Sequence, residues 1–98
     1  MQLARVLGQV VSTVKQPALE RHTLLLLAEF IATEPGDAAD DPTYVAVDLV
    51  GAGVGEIVLV SGGGAARVAA GADVPVDRAV VAIADSVIRA GAVTYSKS

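Results

Sequence analysis

The sequence predicts one mainly β domain over residues 1–98, a small barrel or sandwich of five or six short strands with one short helix. Three observations predict it. Apolar runs of strand length recur along the chain. Turn signals built on Gly and Pro separate them. A single alanine-rich stretch, 65–70, has the composition of a helix, and Gly71 follows it as a stop.

Taken in order, residues 2–15 read as one long strand. One parity carries Ala4, Val6, Gly8, Val10, Ser12 and Val14. The other carries Leu3, Arg5, Leu7, Gln9, Val11, Thr13 and Lys15, the mixture expected of a partly buried face. Gly8 marks a bend or bulge that lets a long strand curl. Pro17 has no N–H for a ladder and ends the element. Residues 24–31 form a second strand, apolar enough to be covered on both faces. Its four consecutive leucines leave a helix over 19–31 as the competing reading. Residues 34–42 are an acidic surface loop with Pro35, Gly36 and Pro42. A short strand at 44–48, a turn at 51–55 and a strand at 56–61 come next. After the helix comes a loop at 73–77 and a buried strand at 79–84. Residues 86–89 read as one helical turn closed by Gly91, and 92–95 as a last strand.

Composition points to assembly. Apolar residues make up 53% of the chain and charged residues 18%, against about 25% in ordinary soluble domains. The mean hydropathy is +0.59. A domain of 98 residues has much surface for its volume and cannot hide that much apolar side chain alone. A membrane is excluded by run length. A spanning helix needs about 20 consecutive apolar residues, and the longest uncharged stretches, such as 57–66, are far shorter and rich in glycine. The opening Met1-Gln2-Leu3-Ala4-Arg5 lacks a signal-peptide core. The chain is therefore expected in the cytoplasm, with the apolar excess covering an interface between its own copies.

Further function classes fall to residue counts. With no cysteine there are no disulfides, thiolate nucleophiles or thiolate metal ligands. Net charge is −4, and Arg5, Lys15, Arg21, Arg67, Arg78, Arg89 and Lys97 are scattered singly rather than in a basic stripe. Phe30, Tyr44 and Tyr95 are too few to make a stacking platform. Nucleic acid is not an expected partner.

The segments with a chemical look also have plain explanations. Gly51-Ala52-Gly53-Val54-Gly55 lacks the G-x-G-x-x-G spacing of a dinucleotide site, and a strand follows it rather than a helix. It reads as a place of close backbone approach or positive φ. Ser61-Gly62-Gly63-Gly64 leads into a helix start, where anions bind, but the P-loop Lys-Ser/Thr is absent. Asp37, Asp40 and Asp41 do not have calcium-loop spacing and read as a solvated tip. His22 is the only histidine, reads as exposed, and has no thiolate or serine partner to form a triad. Asp48, Glu56, Asp77 and Asp85 sit at strand ends, placed to pair with arginines between subunits. No catalytic residue, cofactor or metal site is expected.

Several segments, taken together, resemble one family. They are 3–15 (Leu-Ala-Arg-Val-Leu-Gly-Gln-Val-Val-Ser-Thr-Val-Lys), the leucines 24–27, the run Tyr44 to Val60 with Val50-Gly51-Ala52-Gly53-Val54-Gly55-Glu56 at its centre, the stretch 61–67, and Pro75-Val76-Asp77-Arg78-Ala79-Val80-Val81-Ala82-Ile83-Ala84-Asp85. In this order they resemble the EutN/CcmL family of bacterial microcompartment vertex proteins across nearly the whole chain. Arg21-His22 departs from it, standing where the family commonly has a short glycine-containing turn. The resemblance implies a small OB-like five-stranded barrel with one short helix, assembled as a cyclic homopentamer. Such rings close the five-fold vertices of a polyhedral shell whose other tiles are hexameric and trimeric proteins, as in carboxysomes. It implies that Gly51, Ala52, Gly53, Val54 and Gly55 line the five-fold axis. Arg5, Gln9, Ser12 and Lys15 are assigned to a subunit or tile edge. The rival reading is a small OB-like module that binds a ligand, an oligosaccharide or nucleic acid. A third is a small enzyme using Asp48 or Glu56 beside the glycine loop.

Overall fold

The computed structural model describes residues 1–13, 15–30, 42–71 and 74–97. Five strands close a barrel: β1 (Gln2–Val10), β2 (Thr23–Glu29), β3 (Thr43–Asp48), β4 (Ile57–Gly62) and β5 (Arg78–Ile83). Around the barrel the order is β1-β2-β3-β5-β4, and β4 pairs back onto β1. All pairings are antiparallel except β3 with β5, a parallel contact of only two residue pairs, Val47↔Ala79 and Asp48↔Val80. A helix, α1 (Gly63–Ala70), joins β4 to β5. β6 (Ser86–Arg89) and β7 (Ala92–Ser96) form a separate two-stranded sheet.

The alternation read in β1 decides what the barrel encloses. Ala4 and Val6 are fully buried, while Leu7 and Gln9 are exposed. The register slips between Val6 and Gly8, leaving Leu7 as the extra residue of a bulge where Gly8 was expected to bend the strand. The interior joins Ala4 and Val6 to Leu25, Leu27, Ala46, Val58, Val60 and Val80. Each valine or leucine among them contributes about 1.5–3 kcal/mol by leaving water. A smaller cluster of Val47, Ala66 and Ala79 seats α1 on the barrel wall. Alanine favours this helix, and its small Ala66 side chain lets the helix approach closely. Gly71, at φ 120°, ends it, donating its N–H to the Arg67 carbonyl.

Two expectations need correction, and one competing reading falls. The first strand stops at Val10, not residue 15. The leucine run is strand from Thr23 to Glu29, with a single 3-10 turn at Pro17–Leu19, so the helix over 19–31 does not form. Two ladders hold this segment, with β1 and with β3, and tertiary pairing outweighs leucine's helix propensity. Residues 86–89 are a strand, not a helical turn. Ala90 and Gly91, at φ 52° and 80°, supply the two positive values of a tight hairpin turn, so Gly91 turns a hairpin rather than stopping a helix. The acidic segment with Asp37, Asp40 and Asp41, and Ile31 with it, lies outside the described residues.

Candidate functional site

The glycine loop 51–55 connects β3 to β4, and its shape is set by two carboxylates. Asp48, at the end of β3, accepts the Val50 and Gly51 amides on Oδ1, each at 3.1 Å, and the Ala52 amide on Oδ2 at 2.9 Å. This is the Asx pattern by which a short acidic side chain stands in for missing backbone partners. Glu56, at the start of β4, accepts the Gly53 amide on Oε1 at 2.6 Å. Its Oε2 pairs with Lys97 Nζ, also at 2.6 Å. The loop is further tied to β1 by reciprocal bonds, Gly55 N–H to the Val6 carbonyl and Val6 N–H to the Glu56 carbonyl.

Those contacts shift two titrations. The bond to Lys97, then the one to the Gly53 amide, holds the Glu56 carboxyl below its ordinary value of 4.5. The same bond to Glu56 raises Lys97 above its ordinary 10.5. Both groups are in contact with water, so the pair works as a latch between loop and C-terminal segment rather than as a buried catalytic dyad.

Two of the three loop glycines have a reason inside the chain. Gly51 and Gly55 take φ of 80° and 88°, which L-residues rarely adopt. Gly53 does not. A Cβ there would meet only Glu56 Oε1, at 3.4 Å. Gly51, Gly53 and Gly55 are exposed, and Val54 between the last two is 74% exposed.

The four expected edge residues do not gather as one group. Gln9, Ser12 and Lys15 line one polar concavity of about 240 Å³ together with Glu20, Arg21 and His22. His22 is half-buried there, not exposed as expected. Arg5 sits apart on β1, opposite Ala28 and Ile57, with its guanidinium over the Phe30 ring at 5.3 Å.

The other residues with chemistry in them lie beside backbone and ion-pair contacts of the fold. Ser61 is buried in β4, and Gly63 N–H donates to the Asp77 carbonyl at 2.8 Å, taking one amide of the helix start. The Asp85 carbonyl accepts the Lys97 amide at 2.7 Å. Glu56 pairs with a lysine of its own chain. Among the described residues, no three His, Asp or Glu side chains come together as a metal site would require. No helix among them is long and apolar enough to cross a membrane.

Several large aliphatic side chains remain on the surface. Besides Met1, the side chains of Val11, Val54, Val68, Ile88 and Val93 are more than half exposed. Large aliphatics left in water are available for contact with other subunits. Comparison with known proteins makes the class specific. Residues 1–85 match the family described as ethanolamine utilisation protein EutN/carboxysome. The chain belongs to the EutN/CcmL family.

Its relatives carry shell names. The microcompartment shell vertex protein PduN of Salmonella typhimurium is 51% identical over 90 residues, covering 88% of this chain and 97% of that one. The carboxysome shell vertex protein CcmL of Thermosynechococcus vestitus is 47% identical over 98 residues, covering 99% and 96%. The solved GrpN pentameric microcompartment shell protein of Rhodospirillum rubrum superposes with a TM-score of 0.77 at 43% identity, covering 91% of this chain and all of that one. The family match ends at residue 85, just before β6. Sequence reasoning missed the Glu56–Lys97 latch. The two residues lie 41 positions apart, and nothing in their spacing joins them.

Proposed function

We propose that five copies of this chain close into a ring that forms a vertex of a polyhedral microcompartment shell in the cytoplasm. The observation that carries the reading is the likeness, at 43% identity, to a shell protein described as pentameric. Physical chemistry supports it. Flat hexagonal tiles alone cannot close a polyhedron, so a shell of hexamers and trimers needs five-fold points. A heterologous contact whose rotation closes supplies such a ring. The aliphatic residues left exposed on the single chain are the material for that contact.

Within this reading, the loop Gly51, Ala52, Gly53, Val54 and Gly55 faces the five-fold axis. Gln9, Ser12 and Lys15 form one edge patch and Arg5 a second, facing the neighbouring hexameric and trimeric tiles. The binding-module alternative lacks its main tool. All three aromatic rings are engaged, Phe30 edge-on to Tyr95 at 5.8 Å and Tyr44 under the Arg78 guanidinium at 4.5 Å, so no open stacking surface is offered. Native mass spectrometry at low micromolar concentration tests the ring. A dominant five-subunit species is expected, and a clean monomer overturns the proposal.

A further inference from the structure

We infer that the β6–β7 hairpin is the arm by which each copy grips the next, seated in an apolar groove at the far end of the neighbour's barrel; this rests on the ring reading above. The hairpin is a sheet of its own. It is tethered to the barrel at its base, by the Phe30–Tyr95 ring contact, the Lys97–Glu56 pair and the Lys97 amide on the Asp85 carbonyl. The molecule is long for its width, 43 × 25 × 22 Å. A two-stranded hairpin without a covering layer is marginal in water. This one nevertheless carries a cross-strand aliphatic pair, Ile88 opposite Val93, that is 65% and 60% exposed. Such a pair contributes little by itself, and a cover would add the burial of both side chains.

The groove that fits it lies elsewhere on the fold. Leu19, Leu24, Val45, Val47 and Val76 line an apolar depression of about 170 Å³. That is close to the roughly 150 Å³ of an engineered protein cavity that holds one benzene, and so suits one aliphatic side chain. Beside it, β3 pairs with β5 only at Val47 and Asp48, so the stretch from Thr43 to Ala46 presents an edge to that side. Val45 on that edge is 43% exposed. Open edges with apolar side chains need a cover.

Position selects the occupant. The groove lies at the start of β5, beside Ala79, and the hairpin leaves from the end of β5, after Ile83. Six strand residues separate the two by roughly 20 Å. The tethers at its base hold the hairpin at the Ile83 end of β5, away from its own groove. A second copy, placed head to tail, can bring its hairpin there. Two different patches at opposite ends of one strand are what a heterologous interface requires, and repeating it closes a ring.

The test uses the absence of cysteine from the chain. The double variant Ile88→Cys with Val45→Cys, mildly oxidised and run on a non-reducing gel, is expected to give a ladder of covalent species up to five chains. Each single variant is expected to stop at dimers or monomers. A disulfide needs Cα atoms within about 7 Å, so the ladder cannot arise from a link inside one chain. The variant Ile88→Asp with Val93→Asp is expected to lose the five-subunit species in native mass spectrometry while keeping the parent's circular dichroism. Parent rings without a ladder in the double-cysteine variant overturn the groove assignment. Rings that persist in the double-aspartate variant overturn the arm. A parent chain that is itself monomeric overturns the ring reading and this inference with it, so the two failures are distinguishable.

Discussion

Replacing Gly53 by valine tests whether the glycine loop faces the ring axis. Inside one chain the change is mild. The φ at Gly53 is outside the left-handed region, and its new Cβ meets a single atom, Glu56 Oε1, at ordinary contact distance. Exposed substitutions of this kind change stability by about 0.5 kcal/mol or less. In a ring with this loop at the axis, five copies of the side chain converge. Overpacking costs about 1–3 kcal/mol per site, or roughly 5- to 140-fold in each contact's association constant. Native mass spectrometry and thermal melting, run together, separate the two effects. The expected result is a chain that keeps the parent's circular dichroism at room temperature with a depleted five-subunit species and the lower melt that loss of the ring brings. Controls come from Gly51→Ala and Gly55→Ala, whose φ of 80° and 88° make any side chain cost about 1–2 kcal/mol in the chain itself. Those two lower the melting temperature before any ring is considered, by roughly 4–8 °C per kcal/mol. If Gly53→Val chains assemble in the parent's proportion, the loop is not at the axis.

Three further outcomes follow from the same geometry. Glu56→Gln keeps an acceptor for the Gly53 amide but loses the ion pair with Lys97, so the loop and the hairpin base loosen. The lowered carboxyl makes Glu56's contribution present above 4.5 and lost as pH falls through its folded value. The raised amine makes Lys97's contribution present below 10.5 and lost as pH rises through its folded value. The gap in melting temperature between parent and Glu56→Gln should therefore be widest between these limits and close in acid; a gap unchanged well below 4.5 contradicts the pairing. Ala90→Asn should tighten the hairpin, because Ala90 holds φ 52° at a turn position that Asn tolerates. Relief of about 1 kcal/mol is expected as slower hydrogen exchange at Val87 and Tyr95, and unchanged exchange refutes it. Leu27→Ala empties the middle of the barrel, where Leu27 is fully buried opposite Val6 and Tyr44. Urea unfolding should show a loss of about 2–5 kcal/mol.

Much of the barrel is legible in the chain because its rules are local. The alternation Ala4, Val6 against Leu7, Gln9 states which face of β1 is inward. Gly8 marks the bulge beside Leu7, and Gly71 the helix stop. Where reading was open or failed, a distant contact decided. The leucine run, read as a strand with a helix as its rival, is held as a strand by the β1 and β3 ladders that flank it. Residues 86–89 look like a helical turn until Ala90 takes a conformation unusual for alanine and pairs Ile88 with Val93. The fold also divides the expected edge residues. Gln9, Ser12 and Lys15 share a concavity because the 17–22 turn folds back on them, while Arg5 belongs to the Phe30 end of β1.

The glycine loop shows why assembly is harder to read than fold. A glycine can be demanded by its own backbone or by a neighbouring copy, and the letter is the same in both cases. The structure separates them. Gly51 and Gly55 answer to positive φ, and Asp48 holds the turn they make. Gly53 answers to nothing inside the chain beyond a single carboxylate oxygen. The same subtraction applies to the apolar excess. Once Leu27, Ile57, Val58 and the rest of the interior are accounted for, Val54, Ile88 and Val93 remain mostly exposed. Residues left over after the chain's internal demands are met are the ones available to its neighbours; Val54 falls at the loop proposed for the axis, Ile88 and Val93 on the arm proposed for the grip, and Val11 and Val68 on other faces.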